Sequence, residues 1–126
     1  MKVTRRNLSR CKRELVTLAC RIVHERDKCC QYCGRREGKL DAAHIVRRGR
    51  GWLYAADPEN IVLLCRWHHD LLDHRRDGAE RRLVLERFAD LNMRMLLKHG
   101  TQQQPVTVRQ VQAMADELER QWLEVS

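Results

Sequence analysis

Aromatic residues are scarce in this chain of 126 residues, which has three Trp, two Tyr and one Phe. A hydrophobic core must therefore rely on Leu, Val, Ile and Met side chains. The chain has no run of 18 apolar residues, so the sequence predicts no membrane span. Residues 1–13 are basic and lack the apolar stretch and small-residue cleavage site of a secretory signal, so we expect a cytoplasmic protein.

Positive charge is distributed unevenly along the chain, whose formal net charge is +8. Residues 1–50 contain fifteen Lys and Arg against five Asp and Glu, whereas residues 51–126 contain ten against twelve. A basic region can neutralise phosphates and attract a polyanion, but it can also be no more than a solvated surface. The composition therefore leaves a nucleic-acid partner open without establishing one.

Apolar residues recur at three- and four-residue steps in several segments, which indicates amphipathic helices. Four helices are predicted, at residues 8–26, 66–76, 79–98 and 107–124. Two short apolar segments, 40–46 and 61–64, are predicted strands on either side of a loop at 47–58. This order of elements predicts an α+β fold with one helix before the strands and two long helices after them.

The last helix is separated from the rest by a polar linker that begins at residue 101. We therefore expect residues 1–100 to form one domain, with its central motif at 28–76, and residues 101–126 to be linker and C-terminal helix. The apolar positions of that helix step by three and four, as in a short coiled coil. The helix is thus expected either to pack on its own domain or to form a homodimer.

The six cysteines indicate a metal site rather than disulfides, because we expect a reducing compartment. Cys30 and Cys33 form a Cys-x2-Cys turn. Cys65 and His68 form a Cys-x2-His pair at the start of a predicted helix. Three sulfurs and one nitrogen suit Zn²⁺ in a closed, tetrahedral structural site. Cys29 could replace Cys30 with a longer spacing, and a disulfide from either cysteine is the remaining alternative.

Residues 28–76 resemble the HNH endonucleases, whose fold is the ββα-metal motif. The resemblance rests on CQYCG at 30–34, LDAAHI at 40–45 and DPENIVLLCRWHH at 57–69. These segments combine a histidine in a short apolar strand, an asparagine five residues before a cysteine, and a metal-binding pair followed directly by another histidine. The family usually has a second cysteine where this chain has His68, and histidine is an equivalent zinc ligand. The loop 44–60 is similar to that of phage-encoded members.

The resemblance implies a metal-dependent endonuclease that hydrolyses phosphodiester bonds of DNA. It implies that His44 is the general base and that Asn60 orients it. It also implies that His69 binds a catalytic divalent cation, Mg²⁺ or Mn²⁺. Taken alone, His44 could equally be a structural histidine, and Asn60 a turn residue.

One position departs from the family pattern. The second metal ligand usually stands immediately before the general base, where this chain has Ala43. Asp73 is the first candidate to replace it, because four residues beyond His69 is about 40° around a helix. His74 is the second candidate, at about 140°. Asp41 is the third, since it lies on the same strand face as Ala43, one pleat further away.

Arginines follow the predicted catalytic strand and flank the end of the metal-binding helix, and guanidinium groups bind phosphate oxygens well. The candidates for DNA contact are Arg47, Arg48, Arg50, Arg75, Arg76 and Trp52. Trp52 either stacks on DNA or packs onto the core. No segment resembles a major-groove reading helix, so we expect low sequence specificity or selectivity for DNA structure.

Two other functions remain open. The chain could be a non-catalytic zinc module that binds nucleic acid, having lost its catalytic metal through Ala43. It could also be a zinc-stabilised protein-interaction domain that uses its last helix to dimerise.

Overall fold

The structure, a computed structural model, describes residues 1–73 and 78–126. Within these residues it contains six α-helices and a two-stranded antiparallel sheet, which confirms the α+β class. The elements in chain order are α1 (Leu8–Asp27), β1 (Leu40–His44), α2 (Trp52–Ala56), β2 (Ile61–Cys65), α3 (Arg66–Asp73), α4 (Ala79–Arg87), α5 (Ala89–His99) and α6 (Val108–Val125). None of the helices in the described ranges is long and apolar enough to cross a membrane.

Strand β2 is buried on both faces, which explains its continuous apolar sequence. It pairs with β1 in a register that places Asp41 opposite Leu64 and His44 opposite Ile61. Because side chains alternate along a strand, Ile61 and Leu63 enter one core cluster and Val62 and Leu64 another. The sheet thus lies between α1 on one side and α3 and α4 on the other.

Helices α1 and α6 pack against each other along their apolar faces. The completely buried side chains of this contact include Leu15, Ala19, Ile22, Val111, Ala115 and Leu118. Helix α6 begins with a capping box, in which Thr107 Oγ1 accepts from Gln110 N at 3.1 Å and the Gln110 side chain accepts from Thr107 N at 2.8 Å. Helix α6 thus packs on α1 of its own chain, and its use in a homodimer stays a prediction.

The single long helix expected at 79–98 is wrong, because the chain breaks into α4 and α5 at Phe88. The ring of Phe88 is buried with Val84 in the core beneath α3 and α4, whereas Met95 of α5 packs with Tyr54 in a separate cluster. Helix α4 therefore packs on one core, whereas α5 packs on both, since Leu91 contacts each cluster. A stripe with three- and four-residue steps continues across the break, so periodicity alone could not reveal it.

The loop expected at 47–58 also contains more structure than predicted, namely a 3₁₀ turn at Arg48–Arg50 and helix α2. Gly51 precedes α2 with a φ of 149°. A Cβ at this position would lie 1.9 Å from Oε1 of Gln102, so any other residue would displace the Gln102 side chain and would also be strained at this φ. Strand β1 correspondingly ends at His44, two residues earlier than expected.

Candidate metal centre and catalytic cleft

The donor atoms of Cys30, Cys33, Cys65 and His68 all lie within 4.8 Å of one another. The Sγ atoms of Cys33 and Cys65 are 3.9 Å apart, and Nδ1 of His68 is 3.8 Å from Sγ of Cys30 and 3.1 Å from Sγ of Cys65. Tetrahedral zinc with bonds to sulfur of about 2.3 Å requires sulfur atoms roughly 3.8 Å apart. These four residues can therefore hold a structural zinc ion.

Local backbone structure brings the four ligands together. Cys30 and Cys33 lie in a tight turn that is closed by a bond from Gly34 N to Cys30 O and that has Gly34 at a φ of 77°. The turn is attached to β2 by a bond from Gln31 N to Leu63 O, beside the strand end that carries Cys65. The cluster contains Cys30, so the preference for Cys30 over Cys29 agrees with the geometry.

Backbone hydrogen bonds prepare the first thiol for metal binding. Burial by itself would raise the pKa of Cys30, but bonds from the backbone of Cys33 and Cys65 outweigh it, and the pKa lies below its usual value. Burial also lowers the pKa of His68, which favours the neutral imidazole. Thiolate and neutral imidazole are the forms that bind zinc.

A second site is a cleft with a volume of about 500 Å³ between the end of β1 and the first turns of α3. Its lining consists of Cys20, Ala42, His44, Arg47, Arg48, Gly49, His69 and Asp73. The antiparallel hairpin and the helix that follows it thus bring two histidines from separate motifs to one cavity.

The imidazole of His44 is held by a backbone carbonyl. Its Nε2 lies 2.9 Å from the carbonyl oxygen of Ala55. A carbonyl can only accept a hydrogen bond, so Nε2 carries the proton and Nδ1 keeps its lone pair. Burial lowers the pKa of His44, and the nearby charge of Arg48 lowers it further. His44 is therefore neutral near pH 7 and able to accept a proton at Nδ1.

Asn60 is completely buried but does not bond to His44 directly. Its Oδ1 accepts from Val46 N at 2.8 Å, and its Nδ2 donates to the carbonyls of Val46 and Tyr54, both at 2.9 Å. The side chain thus joins the two ends of the segment between β1 and α2. The structure therefore links Asn60 to His44 indirectly, through the backbone around Ala55.

His69 lies between two carboxylates. Its Nδ1 is 2.9 Å from Oδ2 of Asp41, and its Nε2 is 2.8 Å from Oδ2 of Asp73. Arg66 adds an ion pair to Asp41 at 3.3 Å. Asp41 and Asp73 are two of the three residues considered as substitutes for the metal ligand missing at Ala43, and both contact His69. The third, His74, lies outside the described residues.

The candidates for DNA contact differ in their surroundings. Arg47, Arg48 and Arg50 are exposed, and the first two line the cleft. Trp52 is only partly exposed, packs on the core formed with α1 and donates from Nε1 to the carbonyl of Lys12 at 3.0 Å. This contact supports the packing role of Trp52 over stacking on DNA. Arg75 and Arg76 lie outside the described residues.

The sequence analysis missed a buried charge cluster around Asp57. Its Oδ2 accepts from Lys98 Nζ at 2.8 Å and from His99 Nε2 at 2.7 Å. Burial would raise the pKa of Asp57, but the bonds from Lys98 and His99 outweigh it and hold the pKa below its usual value. The partners of Asp57 lie 41 and 42 residues away along the chain, so the sequence near Asp57 does not reveal this cluster. The only nearby sign of a functional position was Asn60, three residues further on.

Asp57 makes stability depend on pH, and replacing it by asparagine isolates this dependence. Because its folded pKa is lower than its unfolded pKa, the stabilisation is complete above about pH 3.8 and is lost as the pH falls through the folded value. We expect the difference in free energy of unfolding between the wild type and Asp57→Asn to shrink over this acid range. Urea unfolding at a series of pH values measures it.

Acid also protonates the zinc ligands of both proteins, so the series ends at the lowest pH at which both keep their zinc and a cooperative unfolding transition. Glu59→Gln is the matched control, since Glu59 approaches the same Lys98 at 3.3 Å from an exposed position. We expect that control to have a difference near zero at every pH of the series. A difference near zero between the wild type and Asp57→Asn at neutral pH would show that the Asp57 carboxylate charge contributes nothing.

Comparison with known proteins gives one match. Residues 30–76 match the family model of the HNH endonucleases. No curated protein and no solved structure matches the chain. The matched segment includes the four candidate zinc ligands, both cleft histidines and Asn60, and it excludes α1, α4, α5 and α6. Residues 30–76 of this chain are therefore similar to the HNH endonucleases.

Proposed function

We propose that the chain is a metal-dependent DNA endonuclease in which His44 activates the attacking water. The observation that carries the proposal is the shared cleft. It combines a neutral histidine that has one free ring nitrogen with a second histidine flanked by carboxylates. Exposed arginines border the same cavity. These are the groups needed for phosphodiester hydrolysis, namely a base, a cation site and a surface that attracts phosphate.

In the proposed reaction, His44 takes a proton from water at Nδ1 while its Nε2–H remains bonded to the carbonyl of Ala55. The resulting hydroxide attacks phosphorus, the bond from phosphorus to the 3′ oxygen breaks, and that oxygen leaves with the electron pair. The bond to Ala55 keeps the ring in the required tautomer and stabilises the imidazolium that forms. Arg47 and Arg48 at the cleft edge bind phosphate oxygens and hold the strand in place.

One ring nitrogen of His69 and the carboxylate of Asp73, which both line the cleft, could hold a hard divalent cation such as Mg²⁺ or Mn²⁺, with water as the remaining ligands. Asp41 lies at the opposite ring nitrogen, so it would orient His69 rather than bind the same ion. When bound, such a cation would supply Lewis-acid stabilisation of charge on the phosphate and the leaving oxygen. Ala43 contributes no ligand, so Asp73 would take the place of the residue that the family has there.

We further propose that cleavage has low sequence specificity or selects branched or nicked DNA. Phosphate contacts by Arg47, Arg48 and Arg50 position DNA without reading its bases. The reducing environment that keeps the zinc cysteines available is that of the cytoplasm, which we propose as the site of action. The cleft is formed by a single chain, and a homodimer through α6 stays a prediction.

The test is a nicking assay with Mg²⁺ or Mn²⁺ on random duplex, nicked and branched DNA. We expect cleavage that requires the cation and no single sharp site in random duplex. Asp73→Asn and Asp41→Asn should each raise the metal concentration for half-maximal rate by about 10-fold or more. Asp90→Asn, an exposed carboxylate in the first turn of α5, is the matched control and should leave it unchanged.

A second function, a non-catalytic zinc module that binds nucleic acid, is favoured by one observation. Ala43 stands where the family usually has a metal ligand, and both ring nitrogens of His69 lie against carboxylates of the chain itself. The two functions differ in the nicking assay. Purified protein that binds DNA but does not cut any substrate with any divalent cation would refute the endonuclease and establish this module.

A further inference from the structure

The orientation of His44 depends on a very short helix. The carbonyl that holds Nε2 belongs to Ala55, in the five-residue helix α2. Isolated helices shorter than about 12 residues are unstable in water. Contacts from elsewhere in the chain must therefore fix the position of α2, and with it the tautomer and direction of the His44 ring.

The C-terminal end of α5 supplies these contacts. The hydroxyl of Tyr54 donates to the carbonyl of Gly100 at 2.6 Å, and the Tyr54 and His99 rings meet edge to face with centroids 5.1 Å apart. His99 Nε2 donates to Asp57 Oδ2, one residue beyond the end of α2. The Tyr54 residue is fully buried, and the side chains of His99 and Asp57 are less than a tenth exposed.

A polar contact just after α5 adds to this support. The side-chain oxygen of Gln102 accepts from Leu53 N at 3.3 Å, in the first turn of α2, and lies close against Gly51. In addition, Nδ2 of Asn60 donates to the main-chain carbonyl of Tyr54. Asn60 thus anchors the main chain of Tyr54, and His99 and Gly100 anchor its side chain. His99 and Gly100 lie outside the segment 30–76 that matches the family model.

We infer that Tyr54 and the Asp57–His99 pair are positioning residues that act through α2 on His44. The inference rests on the proposed function for its effect on cleavage, but its effect on the His44 ring can be measured without cleavage. Segment 98–102 then has a role in catalysis although none of its residues lines the cleft. Loss of its contacts frees α2 to shift, and the Ala55 carbonyl no longer selects one tautomer of His44.

The experiment compares Tyr54→Phe and His99→Leu with the wild type in the zinc-loaded, full-length chain. Tyr54→Phe removes only the hydroxyl, and His99→Leu removes the bond to Asp57. Nitrogen NMR of the His44 ring should show the Nε2–H tautomer in the wild type and a mixture of tautomers in the variants. We expect kcat for cleavage to fall about 10- to 100-fold, with KM changed less than twofold. His99→Gln keeps an N–H for Asp57 and should restore most of the rate.

Thr107→Ala is the matched control, because it removes the capping box of α6, whose hydrogen bonds join Thr107 to Gln110 and not to α2. This variant should lose stability and keep both kcat and the His44 spectrum of the wild type. Variants of Tyr54 and His99 that keep the wild-type tautomer would overturn the inference. If the variants change the His44 tautomer but the wild-type protein cuts no DNA, the positioning role is supported and the proposed function is refuted. Should Tyr54→Phe fail to fold, the His99→Leu and His99→Gln pair decides by the same readouts.

Discussion

Replacing His44 by alanine is expected to lower the rate of metal-dependent DNA cleavage by about 10²- to 10⁴-fold, the usual contribution of a general base. In the proposed reaction the ring accepts the proton, since its Nε2 is bonded to Ala55 and burial lowers its pKa. His44 is not one of the four candidate zinc ligands, so folding and zinc content should be preserved. Single-turnover cleavage, with DNA affinity measured by anisotropy, separates the loss of rate from any loss of binding.

His24→Ala is the control for this substitution. His24 is exposed on α1 and is absent from the lining of the cleft, so its removal should leave the rate within about twofold. If His44→Ala cut DNA at the wild-type rate, the proton would have to leave the attacking water by another path. If His44→Ala instead lost zinc, the histidine would have a structural role that its contacts do not indicate.

Replacing Cys33 by serine is expected to remove zinc and, with it, the cooperative folding of the chain. The cluster fastens the turn at 30–34 to the junction of β2 and α3, where neighbouring cores meet. Structural zinc sites contribute apparent binding free energies of about 10–16 kcal/mol, whereas a whole domain is stable by only about 5–15 kcal/mol. We expect one tightly held zinc per wild-type chain and none in the variant, by mass spectrometry, with loss of the thermal unfolding transition.

Cys29→Ser is the matched control, since Cys29 precedes Cys30 directly and does not belong to the cluster. It should retain one zinc and the wild-type melting temperature. The ligand assignment would be wrong if Cys29→Ser lost its zinc. It would also be wrong if Cys33→Ser kept its zinc together with a normal unfolding transition.

The parts of the fold that sequence reasoning predicted are those with local signals. Helix α1 followed from apolar residues at helical spacing, and the start of α6 from Thr107, whose side chain does cap the helix. The zinc cluster followed from two pairs, each separated by two residues. In such pairs the spacing along the chain nearly determines the spacing in space, so one sequence suffices to recognise them.

The parts that escaped prediction depend on distant contacts or on backbone atoms. The partner of His44 is the carbonyl of Ala55, and a carbonyl is the same group in every residue type, so composition gives no hint of it. The partners of Asp57 lie on α5, more than 40 residues away. The break at Phe88 lies where the chain passes from the core of α4 towards the cluster around Met95, which is a tertiary feature that periodicity does not record.

The consecutive histidines at the start of α3 have a consequence for mixtures of metals. Neighbouring residues on a helix point about 100° apart, so His68 joins three cysteine sulfurs while His69 faces two carboxylates. Polarisable ions such as Cd²⁺ or Cu⁺ prefer the sulfur side, and small ions such as Mg²⁺ prefer the oxygen side. A single peptide bond thus separates two environments of opposite metal preference, so a contaminating thiophilic metal would compete for the cysteine cluster in preference to the cleft.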